Sequence, residues 1–375
     1  MTEQLAGIAD EIVGKLAQAM EERSIDALLA TSPENVAWTS GAAPPSQKTV
    51  RSRLAGAIVP RSGESELVAI ALEGPVVRTQ SRLDAVRLYE EFVEDPVLVF
   101  ADSLTSRGLD DAVLGVEETH LSYADYARLA AALPHAQLVG ADELFEELRM
   151  VKTPSEIEAI RDIGGAAERI AGEVCERFGA GSTEREIANF VAERYAEAGG
   201  DGLTMLVVGS GPRSAAVNAP PTGRVLERGD ILRLDVIGTK GHYYSDVART
   251  AVVGEPSAEQ RRVYDLLLGV HERCLATLRP GALTSDVYAI YRAAMDEAGL
   301  PPYHFVGHGL GVTLHEGPFV NALTSIPLEE GMVLCIEPLT LLEGRFGMQI
   351  EDEVLITASG YEPFSTCGDM PVMAA

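Results

Sequence analysis

Asp230-Ile-Leu-Arg-Leu-Asp-Val-Ile-Gly-Thr-Lys-Gly-His-Tyr-Tyr-Ser-Asp246 reads as two strands folding back on each other at Lys240-Gly241. A two-residue turn there sets Asp235 directly opposite Asp246. Cross-strand partners share a face, with Cβ atoms roughly 5 Å apart. Two carboxylates that close repel each other, so a cation is needed between them. A second pair of acids repeats the pattern. Val333-Leu-Cys-Ile-Glu337 and Gly347-Met-Gln-Ile-Glu351 flank Leu342-Glu343-Gly344-Arg345, and a three-residue turn centred on Gly344 sets Glu337 opposite Glu351. His308 lies in Gly307-His-Gly-Leu-Gly311, where the glycines let other groups approach the backbone closely. Four carboxylates and one imidazole exceed the four ligands, mostly His or Cys, that zinc usually takes. They suit two divalent ions about 3.5–4 Å apart. Ordinary exposed strand acids would account for one such pair, but not for two mirrored pairs and a glycine-flanked histidine.

Leu-Asp-Val-Ile-Gly (234–238), Tyr-Ser-Asp-Val-Ala-Arg-Thr (244–250), Gly-His-Gly-Leu-Gly (307–311), His315-Glu316, Gly-Met-Val-Leu-Cys-Ile-Glu-Pro (331–338) and Ile-Glu-Asp (350–352) follow one another in an order and spacing that resemble the pita-bread metallohydrolases. That superfamily holds methionine aminopeptidase, aminopeptidase P, prolidase and creatinase. Asn35-Val36-Ala37-Trp38-Thr39-Ser40-Gly41 resembles the amino-terminal domain of the creatinase and prolidase branch. The resemblance implies an α+β chain: an N-terminal mixed α/β creatinase-type domain, then a pseudo-symmetric antiparallel sheet with helices. It also implies ligand roles. Asp235 binds one metal, Asp246 and Glu351 bridge, and His308 and Glu337 complete the other. Glu337 is the candidate for proton transfer to the leaving group. His315 stands where a donor to the developing oxyanion is required, and His304 where substrate or leaving group is contacted. In that branch the N-terminal domain helps to wall the neighbouring subunit's active site. The resemblance thus implies a C2 homodimer, with Trp38 as a substrate-side candidate, although core packing would explain the indole equally well.

Two positions depart from the family pattern. Asn218, in Val217-Asn-Ala-Pro-Pro-Thr-Gly223, stands where many family peptidases carry a histidine. Gln349 stands where the aminopeptidase P and prolidase branch usually has an arginine. Asn and Gln keep hydrogen bonding but lose positive charge. That favours substrates other than free dipeptides. The function expected is dinuclear-metal hydrolysis at a Xaa-Pro-type bond, as an aminopeptidase or dipeptidase. The alternatives are hydrolysis of a non-peptide amide or urea-type C–N bond in a small molecule, as in creatinase, and lyase chemistry on the same scaffold. Creatinase works without metal and lacks the ligand set. Five retained ligands therefore argue against a metal-free mechanism and against a binding-only protein. Carboxylate-rich ligation favours manganese, with cobalt, zinc or iron as alternatives.

At 375 residues, two domains are a fair prior. A capped start at Thr153-Pro154-Ser155-Glu156 puts the boundary near 150, giving domains of 1–150 and 151–375. Helices are expected from Ile8 to Arg23, from Pro154 to about Phe178, from Thr183 to Gly199-Gly200, from Ser257 to Pro280-Gly281, and from about Asp286 to Ala298. In the C-terminal domain a pair of helices precedes each acidic hairpin, an order that suggests internal pseudo-symmetry. The N-terminal domain shows short strand signals at Asp26–Ala30, Gly56–Pro60, Leu67–Leu72 and Asp111–Glu117. Net charge is −27, with 57 acidic residues against 30 basic ones, which argues against nucleic-acid or anionic-membrane partners. Neither a secretory signal nor a run of about 18 apolar residues is visible. Cys175, Cys274, Cys335 and Cys367 are far apart and read as reduced thiols of a cytoplasmic protein. Cys335 shares strand parity with Glu337, but a packed core thiol is the simpler reading.

Overall fold

The computed structural model describes residues 2–375, with side chains described from Glu11 onward, so the first apolar positions of the helix expected from Ile8 lie outside the described side chains. The chain divides into two compact units, Met1–Arg149 and Met150–Ala375.

In the first unit the elements run α1 (Thr2–Arg23), β1 (Ala27–Ala30), α2 (Pro33–Ser40), β2 (Gly56–Pro60), β3 (Glu66–Ile70), α3 (Gly74–Gln80), β4 (Ala85–Tyr89), α4 (Pro96–Ser106), β5 (Val113–Val116), α5 (Tyr123–Ala132), β6 (Gln137–Gly140) and α6 (Asp142–Met150). Six strands form one mixed sheet in the order β4-β3-β2-β1-β5-β6. Strands β1 to β3 are buried at every position, so their sequences are near-continuous rather than alternating. The strand expected to reach Leu72 stops at Ile70, where residues 71–73 turn into a single 3-10 turn.

The segment carrying Trp38 is helix α2. Ser32 caps it by accepting from the Asn35 amide at 3.1 Å, Pro33 occupies the first turn, and Gly41 closes it in the left-handed region. The Trp38 ring is 2% exposed and packs edge-on against Phe145, with centroids 6.4 Å apart. The indole is therefore core of its own unit and offers no face to a substrate in this chain.

The second unit continues with α7 (Pro154–Arg177), α8 (Glu184–Glu197), β7 (Gly202–Ser210), β8 (Ile231–Lys240), β9 (Tyr243–Val253), α9 (Ala258–Leu275), α10 (Thr284–Ala298), β10 (Phe305–Gly309), β11 (Glu316–Asn321), β12 (Val333–Ile336), β13 (Leu339–Leu342), β14 (Phe346–Gln349), β15 (Asp352–Thr357), β16 (Gly360–Pro363) and β17 (Val372–Met373). Reciprocal capping boxes open three of the four helices, at Thr153/Glu156, Thr183/Glu186 and Ser257/Gln260. Strands β7 to β9 and β17 form a four-stranded sheet in the order β17-β9-β8-β7. Strands β10, β11, β12, β15 and β16 form a five-stranded one in the order β11-β10-β12-β15-β16, and β13 pairs with β14 as a separate hairpin.

Strand parity assigns the faces. Leu232, Leu234, Val236, Val247 and Ala251 pack in one core with Ile163, Ala167 and Val174 of α7. Asp235 and Asp246, at the alternate positions, face away from that core. In the second half Leu334, Ile336, Met348, Ile350 and Val354 pack with Val263 and Leu267 of α9 and Tyr291 of α10, leaving Glu337 and Glu351 on the other face. Each helix pair thus covers the back of an acidic hairpin. The two halves are stitched front to front, with Glu351 N donating to Ala248 O at 3.2 Å and the Thr250 hydroxyl donating to Gln349 O at 2.8 Å.

Gly164 of α7 marks the tightest contact between a helix and this seam. A methyl at Gly164 collides with the Glu353 carboxylate, whereas one at Gly165 has 3.6 Å to its nearest neighbour, Arg169. Glu353 is buried and accepts from the Asp246 amide at 2.6 Å. Gly164→Ala is expected to destabilise by about 1–3 kcal/mol through overpacking, whereas Gly165→Ala is expected to stabilise by about 0.5–1 kcal/mol through helix propensity. Thermal unfolding of the two variants checks this, and melting temperatures that move in the same direction would refute it.

Candidate metal centre

The first hairpin does not turn where the sequence suggests. Lys240 pairs with Tyr243, and the turn residues are Gly241 and His242, at φ +57° and +76°. Positive φ at both central positions is the type I′ geometry whose twist matches flanking strands. Asp235 therefore lies opposite Ala248, and Asp246 opposite Ile237. The expected direct pairing of the two aspartates is corrected to a diagonal one. The slip is of two residues in register, so both side chains keep their shared face. In the second hairpin the expected register holds. Leu339 pairs with Gln349 across the turn at Gly344, and beyond it Ile336 pairs with Asp352, so Glu337 and Glu351 face each other between two pairings of the same register.

His308 enters from β10, opposite Cys335 of β12. A side chain at Gly307 would strike the Cys335 carbonyl, so glycine is what allows β10 to lie this close to β12. His308 Nδ1 contacts the Gly309 carbonyl at 3.0 Å. A carbonyl only accepts, so the proton sits on Nδ1 and the Nε2 lone pair is free to bind a metal. That Nε2 lies 3.2 Å from Glu337 Oε1, 3.6 Å from Asp246 Oδ2 and 4.0 Å from Glu351 Oε1.

The structure brings Asp235, Asp246, His308, Glu337 and Glu351 together as buried residues. Each carries an atom without a hydrogen-bond partner: Asp235 Oδ1, Asp246 Oδ1, His308 Nε2, Glu337 Oε1 and Glu351 Oε1. Orphaned buried acceptors are costly, and those of Glu337 and Glu351 lie within 4.0 Å of the orphaned His308 Nε2. Ligand atoms of Asp246, His308, Cys335 and Glu351 all fall within 4.8 Å of one another. Burial, then the charge of neighbouring carboxylates, pushes Asp246 and Glu351 well above the usual carboxylate range. Burial raises Asp235 to about 6, with Arg233 opposing. The donor set and its missing partners therefore fit divalent cations. Cys335 is buried, and burial together with nearby carboxylates pushes its thiol well up, which leaves it a neutral S–H.

His315 stacks on His308, with ring centroids 3.8 Å apart and planes at 16°. Its side chain is exposed at the edge of the site, yet partial desolvation lowers its pKa to about 4, so it is a neutral imidazole at physiological pH. His304 is exposed beside Tyr303, with centroids 6.1 Å apart. Asn218 is exposed in the turn after the 3-10 segment Gly211–Ala215.

Gln349 is buried among the carboxylates. Its Nε2 donates to Glu337 Oε2 at 3.2 Å and to Glu351 Oε2 at 3.0 Å. Its Oε1 accepts from Arg233 Nη1 at 2.7 Å. Arg233, 1% exposed, is the residue that sequence reasoning missed. Position 349 of β14 carries no charge, but a guanidinium stands beside it on β8. Its signal was present as a single arginine on the Asp235 face of an otherwise apolar run, Ile-Leu-Arg-Leu-Asp-Val-Ile (231–237). Glu353, buried and raised to about 8, was missed as the acceptor that holds the Asp246 amide.

Residues 158–358 match metallopeptidase family M24, and residues 13–151 match the creatinase/prolidase N-terminal domain. The chain is 30% identical to a Xaa-Pro dipeptidase of Pyrococcus furiosus over 353 residues, which is 93% of this chain and 96% of that protein. The crystal structure of dipeptidase PepE from Mycobacterium ulcerans superposes with a TM-score of 0.85 at 29% identity, covering 99% of each chain. That of an X-Pro aminopeptidase from Thermotoga maritima gives 0.86 at 27% identity, covering 97% of this chain and 99% of that one.

The raised carboxylates have a consequence for pH. An acid whose pKa is higher folded than unfolded stabilises the ion-free fold most below its unfolded value, near 4. That contribution is lost as pH rises through about 6 for Asp235 and higher for Asp246 and Glu351. Divalent ions need the deprotonated forms. The gain in melting temperature on adding Mn²⁺ to stripped protein is therefore expected to grow steadily from pH 5 to pH 8. A gain independent of pH would contradict the assignment.

Proposed function

We propose that this chain, which belongs to metallopeptidase family M24 and is a metallohydrolase, hydrolyses Xaa-Pro peptide bonds with two divalent ions held by Asp235, Asp246, His308, Glu337 and Glu351. The observation that carries the reading is that each of these five buried residues keeps a ligand atom without a partner, with carboxylate oxygens of Asp246, Glu337 and Glu351 within 4.0 Å of His308 Nε2. The relatives named as Xaa-Pro dipeptidase and X-Pro aminopeptidase, similar over nearly their whole length, support the substrate class. Manganese is the ion that carboxylate-rich ligation favours.

The chemistry the ions supply when bound is Lewis acidity toward the scissile carbonyl and activation of water. The chain supplies the rest. Glu337 is assigned the transfer of a proton from nucleophile to leaving amine. Neutral His315 is assigned the donation of a hydrogen bond to the developing oxyanion. Exposed His304 is available to the substrate side. Arg233 directs its donors at protein acceptors, so it does not substitute for a charge facing a substrate carboxylate. A charge-assisted contact contributes roughly 1.5–3 kcal/mol, so amide-capped or longer Xaa-Pro peptides should exceed free dipeptides by about one to two orders of magnitude in kcat/KM.

Cytoplasmic placement fits the four unpaired cysteines. Among the described residues, no helix is long and apolar enough to cross a membrane. Assembly as a homodimer fits the exposed Phe92, Val93, Leu98 and Tyr123 on the N-terminal unit.

Metal-stripped protein titrated with Mn²⁺ should take up about two ions per chain, and Asp246→Ala should lose at least one. A panel of Xaa-Pro peptides, free and amide-capped, alongside small amides and ureas, assigns the substrate. His315→Ala should lower kcat about 10²–10³-fold on every substrate cleaved. Turnover of ureas but not of peptides would overturn the peptidase reading, and preference for free dipeptides would overturn the charge argument.

A further inference from the structure

We infer that Arg233 is a positioning residue for the metal-binding carboxylates, acting through Gln349 to hold one oxygen of Glu337 and one of Glu351 and so to turn the other oxygen of each toward the ions. The inference rests on the reading of those two residues as ligands. Arg233 lies on β8, two residues before Asp235 and on the same face. Its Nε donates to the Ser214 carbonyl at 3.0 Å, its Nη2 to the carbonyls of Ala216 and Val217, and its Nη1 to Gln349 Oε1 at 2.7 Å. A guanidinium can only donate, so the Gln349 amide must present its oxygen to Arg233. Its NH₂ then has one direction left, toward Glu337 Oε2 and Glu351 Oε2.

Each carboxylate is thereby pinned by one of its two oxygens. The other one, Oε1 in each case, is the partnerless atom, and it is the atom nearest His308 Nε2. Carboxylates only accept and a guanidinium only donates. A neutral amide is the side chain that satisfies both ends of this relay. Gln349 and Arg233 are thus a matched pair, and an arginine at 349 requires the guanidinium at 233 to be gone. The same Arg233 holds the carbonyls of Ser214, Ala216 and Val217, the last next to Asn218, so the two positions that depart from the family pattern are linked through one side chain.

The test is calorimetric titration of Mn²⁺ into metal-stripped protein, with folding checked by circular dichroism and melting temperature. Gln349→Leu removes the relay and should weaken Mn²⁺ binding about 10–100-fold, as loss of a hydrogen bond to a ligand typically does. Arg233→Met frees the amide to rotate and should give a similar loss. The double variant should lose little more than the worse single one, because both break one chain of contacts. Moving the guanidinium, as Arg233→Leu with Gln349→Arg, should return affinity to within about threefold of wild type. A folded Gln349→Leu whose Mn²⁺ affinity stays within threefold of wild type overturns the inference, as do single losses that simply add. If Arg233→Met does not fold, Gln349→Leu and the moved pair decide by themselves. A residue that touched only substrate would shift KM and leave Mn²⁺ affinity alone. Wild type that binds no Mn²⁺ overturns the metal reading and this inference together, whereas binding that Gln349→Leu leaves intact overturns this inference alone.

Discussion

Four carboxylates share one buried space on two hairpins, and their mutual repulsion is the constraint around which the C-terminal unit is built. Removing an ion from water costs several kcal/mol even after relaxation. Here the cost falls on groups whose neighbours carry the same sign. The chain answers with donors wherever geometry allows. Gln349 takes one oxygen each of Glu337 and Glu351, the Asp246 amide is anchored on Glu353, and Arg249 ties the Glu351 carbonyl at 2.6 Å and the Asp352 carboxylate at 2.7 Å. Even so, each of the five residues keeps a buried atom without a partner. That remainder defines the centre more sharply than the acids alone, since acids cluster in many proteins without holding metal.

Rigid supports surround this arrangement. Each acidic hairpin is backed by a helix pair through a continuous apolar core, and the two hairpins share backbone and hydroxyl hydrogen bonds at 248–250 and 349–351. Ligands carried on paired strands cannot drift independently, so the spacing of the metal pocket is set by sheet geometry rather than by loops.

Much of this was readable beforehand, for physical reasons that can be named. The helices announced themselves because Thr153, Thr183 and Ser257 each stand three residues before a Glu or Gln, and a reciprocal cap is a local interaction. The second hairpin's register followed from Gly344 alone. The first hairpin's did not, because Gly241 can occupy either central position of a two-residue turn and nothing local shows that His242 adopts positive φ. Helix α2 around Trp38 was not visible because eight residues offer too few positions to show periodicity. Arg233 escaped notice because its partners, Ser214, Val217 and Gln349, are 16 to 116 residues away. A contact that long-ranged leaves no local trace beyond one charged residue in an apolar run.

The slipped turn at Gly241-His242 has an evolutionary consequence. The face of β8 and β9 that carries Asp235 and Asp246 depends on alternation with period two. A change of pairing by two residues therefore keeps both aspartates on that face. An insertion or deletion of one residue, absorbed as a change of pairing, sends Asp246 to the helix side of the sheet and brings Ser245 or Val247 to the face of Asp235. The hairpin obeys a parity rule. Drift in its length is filtered not by how much chain is gained or lost, but by whether the change is even or odd.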